Sequence, residues 1–153
     1  MIKYWQDNSA RMMQLTIEHA RMVLIALFIA FLVAIVLIAV FLRKKNWMNS
    51  LIYFFSLLYS VPSYAFFALL IPITGLGETT AIIVLAFYNE YVLLRTFITG
   101  IREVDPNYIE VARGMGMTQE EIFTKVQLPL SMPAIFSGLQ VALASTMAIA
   151  TIA

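Results

Sequence analysis

Four long apolar stretches alternate with shorter polar segments along the 153-residue chain. The first, residues 22–42, has no charged residue, proline or glycine. At about 1.5 Å rise per residue, a helix of this length covers a hydrocarbon core of about 30 Å. Similar stretches follow at 51–73, 79–100 and 130–153. The pattern predicts an all-α integral membrane protein with about four spans.

Composition supports this class and excludes several others. Charged residues make up 12% and hydrophobic residues 61% of the chain, whereas soluble domains carry about a quarter charged residues. A net charge of +1 gives no basic face for nucleic acid. The chain has no cysteine and no phosphate-binding loop or hydrolase motif. We therefore expect no catalytic residue, metal site or cofactor within it.

Charge also predicts an orientation. Residues 1–21 mix charged, aromatic and aliphatic side chains, which favours an interfacial amphipathic helix that leads into the first span. Arg43-Lys44-Lys45 directly follow that span and form the densest basic cluster. The positive-inside rule places such clusters in the cytoplasm. A multi-pass topology follows, with the N-terminus outside and the loops 43–50 and 101–129 cytoplasmic.

Polar residues interrupt the second and third spans. Pro62 predicts a kink or break, because proline removes one helix hydrogen bond and clashes with the preceding turn. Asn89 and Glu90 fall near the middle of the third span. One interpretation is a proline kink and a buried carboxyl group bonded to a neighbouring helix. The other is a polar passage, attractive to a cationic solute, that involves Pro62, Tyr64, Asn89 and Glu90. Arg95 lies about 140° from Glu90 around a helix, so the two do not pair naturally.

The polar loop 105–129 carries two consecutive sets of helix signals. Asp105 is a candidate N-cap, and Pro106 stands at the first helical position. Gly114 or Gly116 is expected to take the left-handed conformation that ends a helix. A short helix followed by a glycine turn is therefore predicted.

A second short helix is predicted to follow that turn. Thr118 and Glu121 have the spacing of a capping box. Leu128-Pro129 is expected to end this helix and redirect the chain into the fourth span. So compact a loop favours a docking surface over a tether.

The residues of this loop resemble the EAA motif of ABC-importer permeases. That pattern is EAA, three residues, G, nine residues, I, one residue, LP. Here Glu110-Val111-Ala112, Gly116, Val126 and Leu128-Pro129 stand in register without a gap. Val111 replaces the middle alanine and Val126 replaces isoleucine, and both changes are conservative for an apolar helix face.

Neighbouring segments resemble the osmoprotectant branch of this family, whose transporters carry glycine betaine, carnitine or choline. They are 60–63, 70–72, 75–77 and 104–117. The resemblance covers roughly residue 14 to the end. It implies the helix bundle of a type I importer permease, with at least one further helix in a complete chain. On this basis the chain is expected to be C-terminally truncated.

The resemblance also implies function and partners. The chain would be a bacterial cell-membrane permease subunit that couples ATPase closure to solute translocation. The coupling residues would be Glu110, Ala112, Gly116, Val126, Leu128 and Pro129. Partners would be a separate ATPase that binds ATP and Mg²⁺, a solute-binding protein (separate or fused), and a second permease copy, identical or homologous. Two alternatives stay open: a proton-coupled carrier or channel that uses Glu90, and an inactive fragment of a permease.

Overall fold

The computed structural model describes residues 2–41 and 44–151, with side chains for 8–41, 44 and 46–151. Arg43 of the predicted basic cluster, Leu42 of the first predicted span and the last two residues of the fourth lie outside the described residues. The described chain forms seven α-helices and one π-helical segment. They are α1 (Ile2–Phe41), α2 (Lys45–Ser60), α3 (Ser63–Thr74), α4 (Glu78–Arg102), α5 (Pro106–Gly114), α6 (Gln119–Ile122), the π segment (Phe123–Gln127) and α7 (Leu128–Ala150).

The central helix of the bundle is α4, which packs against α1, α2, α3 and α7. Its leucines Leu85, Leu93 and Leu94 are fully buried. Close approaches along α4 set the helix directions. Gly100 lies against Ala134 and Gly138 lies against Thr96, so α7 runs antiparallel to α4. Helices long and apolar enough to cross a membrane are present at Asn8–Phe41, Glu78–Arg102 and Gln119–Ala150.

The contact face of α1 is built from small residues. Ala26, Ala30 and Ala34 recur every four residues, and each is fully buried. This spacing places them on one face, where short side chains allow close helix packing. The opposite face, which includes Leu24 and Phe28, is exposed. Residues 2–21 belong to the same helix as the first span, without a break.

The second predicted span is broken at Pro62. Val61 is extended, Pro62 caps α3, and the axes of α2 and α3 differ by 94°. The predicted interruption is therefore a full break rather than a mild kink. With 12 residues, α3 is about 18 Å long, too short to cross a bilayer alone. Gly75 and Gly77 both have positive φ and form the turn into α4.

The prediction that Leu128-Pro129 ends the second loop helix is wrong. The chain stays helical from Gln119 to Ala150 through the π segment, and Pro129 occupies the first turn of α7. Proline normally stops a helix because its ring clashes with the carbonyl four residues earlier, here that of Lys125. A π turn is wider than an α turn and gives the ring room beside that carbonyl. The N–H of Leu128 accordingly bonds to Phe123 O.

Candidate functional site

The first helix of the polar loop, α5, is capped at both ends by its own sequence. Asp105 accepts a hydrogen bond from the backbone N–H of Asn107 at 2.9 Å, as an N-cap does. At the other end Gly116 has φ +81°. Its N–H bonds to Arg113 O, and that of Met117 bonds to Ala112 O. This pair of bonds is a Schellman motif with Gly116 as the left-handed residue, which resolves the choice between Gly114 and Gly116.

The second half of the loop begins with the predicted capping box. Thr118 Oγ1 accepts from the N–H of Glu121, and Thr118 N–H donates to Glu121 Oε2. Lys125 Nζ lies 2.9 Å from Glu121 Oε1. The hydrogen bond from Lys125, and then those from Thr118, lower the pKa of Glu121 to about 2. The carboxylate stabilises α6 fully above its ordinary pKa of 4.5, and this effect is lost as the pH falls towards 2.

Neighbouring side chains of α5 differ sharply in burial. Ala112 is buried (1% exposed) on a helix that contacts α6 and the π segment. Tyr108, Val111 and Met115 are spaced three and four residues apart, on one side of the helix. They are 57%, 62% and 66% exposed. A solvent-exposed apolar stripe on a helix marks an interaction site. We call Tyr108, Val111 and Met115 the α5 stripe.

The other predicted coupling residues lie around this helix. Glu110 is exposed and lines a shallow groove of about 580 Å³ with Pro106, Ile109, Arg113 and Gly114. Val126 and Leu128 are half-buried, and Pro129 is exposed. Because α5 contacts the π segment, the two halves of the predicted motif form one compact loop.

The polar residues in the middle of α4 point in different directions. Asn89 is 2% exposed, and its side chain exchanges hydrogen bonds of 2.7 and 2.9 Å with Thr146 of α7. Asn89 thus belongs to the α4–α7 contact. Glu90 is 4% exposed and lines a cavity of about 210 Å³ with residues of α1 and α2. In the part of the chain that the structure describes, Glu90 Oε2 has no hydrogen-bond partner.

An aromatic cluster covers the break between α2 and α3. The Tyr88 hydroxyl donates to Val61 O at the break, and the Tyr59 ring packs on the Tyr88 and Tyr91 rings. Arg95 donates to the Tyr91 hydroxyl and lies 5.8 Å from that ring's centroid. Arg95 is therefore held by tyrosine, in keeping with the expectation that it does not pair with Glu90. The roles of Tyr59 and Tyr88 were not apparent from sequence, because their partners are remote in the chain.

The predicted pathway residues are thus spread over several surfaces. Pro62 forms the break itself, and Tyr64 projects from α3 with 67% of its surface exposed. Asn89 faces α7, whereas Glu90 faces α1 and α2. These four residues do not line one continuous surface of the chain.

A second feature that sequence did not reveal joins α1 to the start of α4. Arg21 makes two hydrogen bonds, of 2.8 and 2.9 Å, to the Glu78 carboxylate. The pair borders a cavity of about 870 Å³ that His19, Phe67 and Ala150 also line. Arg21 and Glu78 directly precede the predicted spans 22–42 and 79–100. Their contact brings the N-terminal ends of these two spans to one level.

This architecture defines a class: a multi-span α-helical membrane protein with a compact helical loop between its last two spans. The family of binding-protein-dependent transport system inner membrane components matches residues 26–153. The chain belongs to this family.

Relatives with curated descriptions are transport permeases. A choline transport system permease protein of Bacillus subtilis is 36% identical over 140 residues, which are 92% of this chain and 64% of that protein. A carnitine transport permease protein of Listeria monocytogenes is 33% identical over 153 residues, 100% of this chain and 70% of that protein. An osmoprotectant import permease protein of Salmonella typhimurium is 28% identical over 157 residues, which cover 99% of this chain and 73% of that protein. The chain spans 64% of the length of the first of these relatives.

Proposed function

We propose that the chain is the transmembrane permease part of an ATP-driven importer for osmoprotectants such as glycine betaine, carnitine or choline. The observation that carries this proposal is the α5 stripe, an apolar surface on the loop that joins two spans. It is supported by the loop's agreement with the EAA pattern and by relatives described as choline, carnitine and osmoprotectant permeases. The chain itself would hydrolyse nothing and hold no cofactor.

The loop would dock on a separate ATPase subunit that binds ATP and Mg²⁺. The α5 stripe would enter a groove of that subunit, and Glu110 and Arg113 beside it would bond to the groove's rim. The N-terminus would lie outside, and the loops 43–50 and 101–129 in the cytoplasm of a bacterial cell. A solute-binding protein would deliver the solute from outside, and a second permease copy would complete the pathway.

The geometry of the loop suggests how movement would reach the membrane. Ala112 and the helix contacts of α5 join it to α6 and the π segment. From Gln119 the chain is helical to Ala150. A displacement of the loop by the closing ATPases would therefore move α7 as a lever against α4. The proton-coupled alternative needs a polar route through the bilayer. The Glu90 cavity does not supply such a route, because its lining is otherwise apolar.

Copurification tests the docking assignment. The tagged chain is co-expressed with the cognate ATPase subunit and solubilised in mild detergent. Val111→Lys places a charge in the α5 stripe and is expected to abolish ATPase recovery. Asn46→Lys, an equal charge change at an exposed position outside the polar loop, is expected to preserve it. Unchanged recovery with Val111→Lys and Gly116→Trp would refute the docking surface.

Uptake measurements in the assembled transporter test the energy source. Osmoprotectant uptake is expected to stop when ATP is depleted and to persist when the proton gradient is collapsed. The reverse result would favour the proton-coupled carrier.

A further inference from the structure

A small cavity lies between α1, α2 and α4, next to the midpoint of α4. Its walls include Ile29 and Val33 of α1, Phe55 of α2, and Ala86, Phe87 and Glu90 of α4. Its volume is about 210 Å³, roughly seven times the ~30 Å³ that a water molecule occupies in the liquid. Glu90 supplies the one charge among the described lining residues.

Glu90 places a buried carboxyl group in the wall of this cavity. It is 4% exposed, and Oε2 has no hydrogen-bond partner among the described residues. The nearest candidates on α4 are engaged elsewhere. Asn89 bonds to Thr146, and Arg95 bonds to Tyr91. A buried carboxylate in apolar surroundings is neutralised either by a proton or by a countercharge.

We propose that this cavity binds a methylated ammonium cation of the choline type during its passage, an inference that rests on the proposed permease function. Such a cation carries a diffuse charge under an apolar methyl surface and has no N–H group that needs an acceptor. It fits a site with one carboxylate, aliphatic walls and aromatic rings. The Phe55 and Phe87 rings lie 6.5 Å apart with a 38° tilt, and ring faces attract quaternary ammonium groups.

The same chemistry discriminates against other solutes. Glycine betaine and carnitine also carry a carboxylate, for which the cavity offers no donor and which Glu90 would repel. An alkali or alkaline-earth ion needs several oxygen ligands, and the cavity offers a single carboxyl group. The cavity therefore favours a net cation over a zwitterion.

Direct binding to the purified chain in nanodiscs tests the proposal. Radiolabelled choline is expected to bind saturably and to be displaced by tetramethylammonium. Radiolabelled glycine betaine is expected to bind at least about tenfold more weakly, because its carboxylate is unpaired and repelled. Absence of saturable choline binding, or equal binding of glycine betaine, overturns the proposal.

Variants distinguish a loss of choline binding in the cavity from a general loss of folding. Glu90→Gln is expected to weaken choline binding about tenfold or more through loss of the countercharge, whereas Glu103→Gln, at an exposed position, leaves it unchanged. Ala86→Leu fills the cavity while it keeps the carboxylate, and it is expected to abolish binding with unchanged helicity by circular dichroism. Unaltered binding in Glu90→Gln and Ala86→Leu contradicts the site.

Copurification distinguishes failure of this site from failure of the proposed function. Glu90→Gln is expected to retain the ATPase subunit, because Glu90 is remote from the polar loop 105–129. If ATPase recovery holds and choline does not bind, the cavity assignment alone is refuted. If a second copy of the chain covers Glu90, Glu90→Gln would change dimer formation instead, and the proposal is then wrong.

Discussion

Two glycines in the polar loop, Gly114 and Gly116, differ in backbone conformation. Gly116 has φ +81°, a conformation that side-chain-bearing residues rarely adopt, and Gly114 lies in α5 without a positive φ. At both positions no described atom lies within 4 Å of the place a Cβ would take. The demand at Gly116 is therefore conformational rather than spatial.

This contrast predicts opposite outcomes for the same substitution. Gly116→Ala is expected to destabilise the loop by about 1–2 kcal/mol, the cost of the left-handed conformation for an L-residue. Gly114→Ala is expected to be neutral or to stabilise α5 by up to about 1 kcal/mol, because alanine favours helices. Hydrogen exchange of peptides from α5, measured by mass spectrometry, reports both effects. Equal exchange rates in the two variants would contradict the Schellman assignment.

Two neighbouring polar residues on α4, Asn89 and Glu90, lie in different environments. Asn89 and Glu90 are consecutive and so lie about 100° apart around the helix. That rotation directs Asn89 to Thr146, where its bonds are satisfied. Glu90 instead reaches an apolar cavity, where a charge costs about 2.5–3.5 kcal/mol on insertion scales. Asn89 stabilises packing, whereas Glu90 has one carboxyl oxygen without a hydrogen-bond partner among the described residues.

At the scale of the helices, the α4–α7 contact depends on two glycines, which have no side chain. A Cβ on Gly100 would lie 2.5 Å from Ala134 Cβ, and one on Gly138 would lie 2.9 Å from Thr96 Cβ. Neither neighbour can yield without movement of the backbone, since both atoms are fixed to it. Glycine here permits two helices to approach closely, as is usual between membrane helices.

Gly138→Ala is therefore expected to push α7 away from α4 and to destabilise the bundle by about 1–3 kcal/mol, the usual range for overpacking. The measurement is the thermal unfolding midpoint in detergent. Combining it with Thr96→Ala, which removes the hydroxyl nearest the new methyl group, should restore part of the loss. Ala144→Val adds methyl groups at an exposed position of α7 and should leave the midpoint unchanged. No change in the Gly138→Ala midpoint would contradict the close approach.

On the scale of the whole molecule, consecutive membrane helices alternate in direction around α4. Arg21, midway along α1, meets Glu78 at the start of α4, and Phe31 meets Phe97 further along both helices, so these helices are parallel. At the opposite end Arg102 of α4 donates to Asn49 of α2, so α2 is antiparallel to α4. The polar loop 105–129 therefore lies at the end of the bundle opposite the Arg21–Glu78 pair.

Together with the positive-inside rule, this arrangement predicts that the end of the bundle with α5 faces the cytoplasm. The natural chain has no cysteine, so single cysteines can be labelled without interference. Leu76→Cys, in a turn where the side chain is 87% exposed, should react with an impermeant maleimide added to spheroplasts. Asn107→Cys, exposed in α5, should react only after the membrane is opened. The opposite pattern would reverse the proposed orientation.

Much of the molecule was predictable because its causes are local in the chain. Apolar length predicts helices over the four spans, Pro62 predicts the interruption, and Asp105, Thr118 and Gly116 predict the caps of the loop. Each of these effects acts within a few residues. The spacing of the EAA pattern is likewise local, and it was sufficient to suggest the family to which the chain belongs.

Tertiary structure decided the features whose partners are distant in sequence. The 94° angle at Pro62 depends on the packing of α2 and α3 against α4, and the continuity of the helix past Pro129 depends on a π segment that the proline rule did not anticipate. Helix packing directs Asn89 to Thr146 and Glu90 to an apolar cavity, and the fold brings Arg21 to Glu78. A sequence states which polar groups exist, but the packing of helices determines which of them are paired and which remain open to a solute.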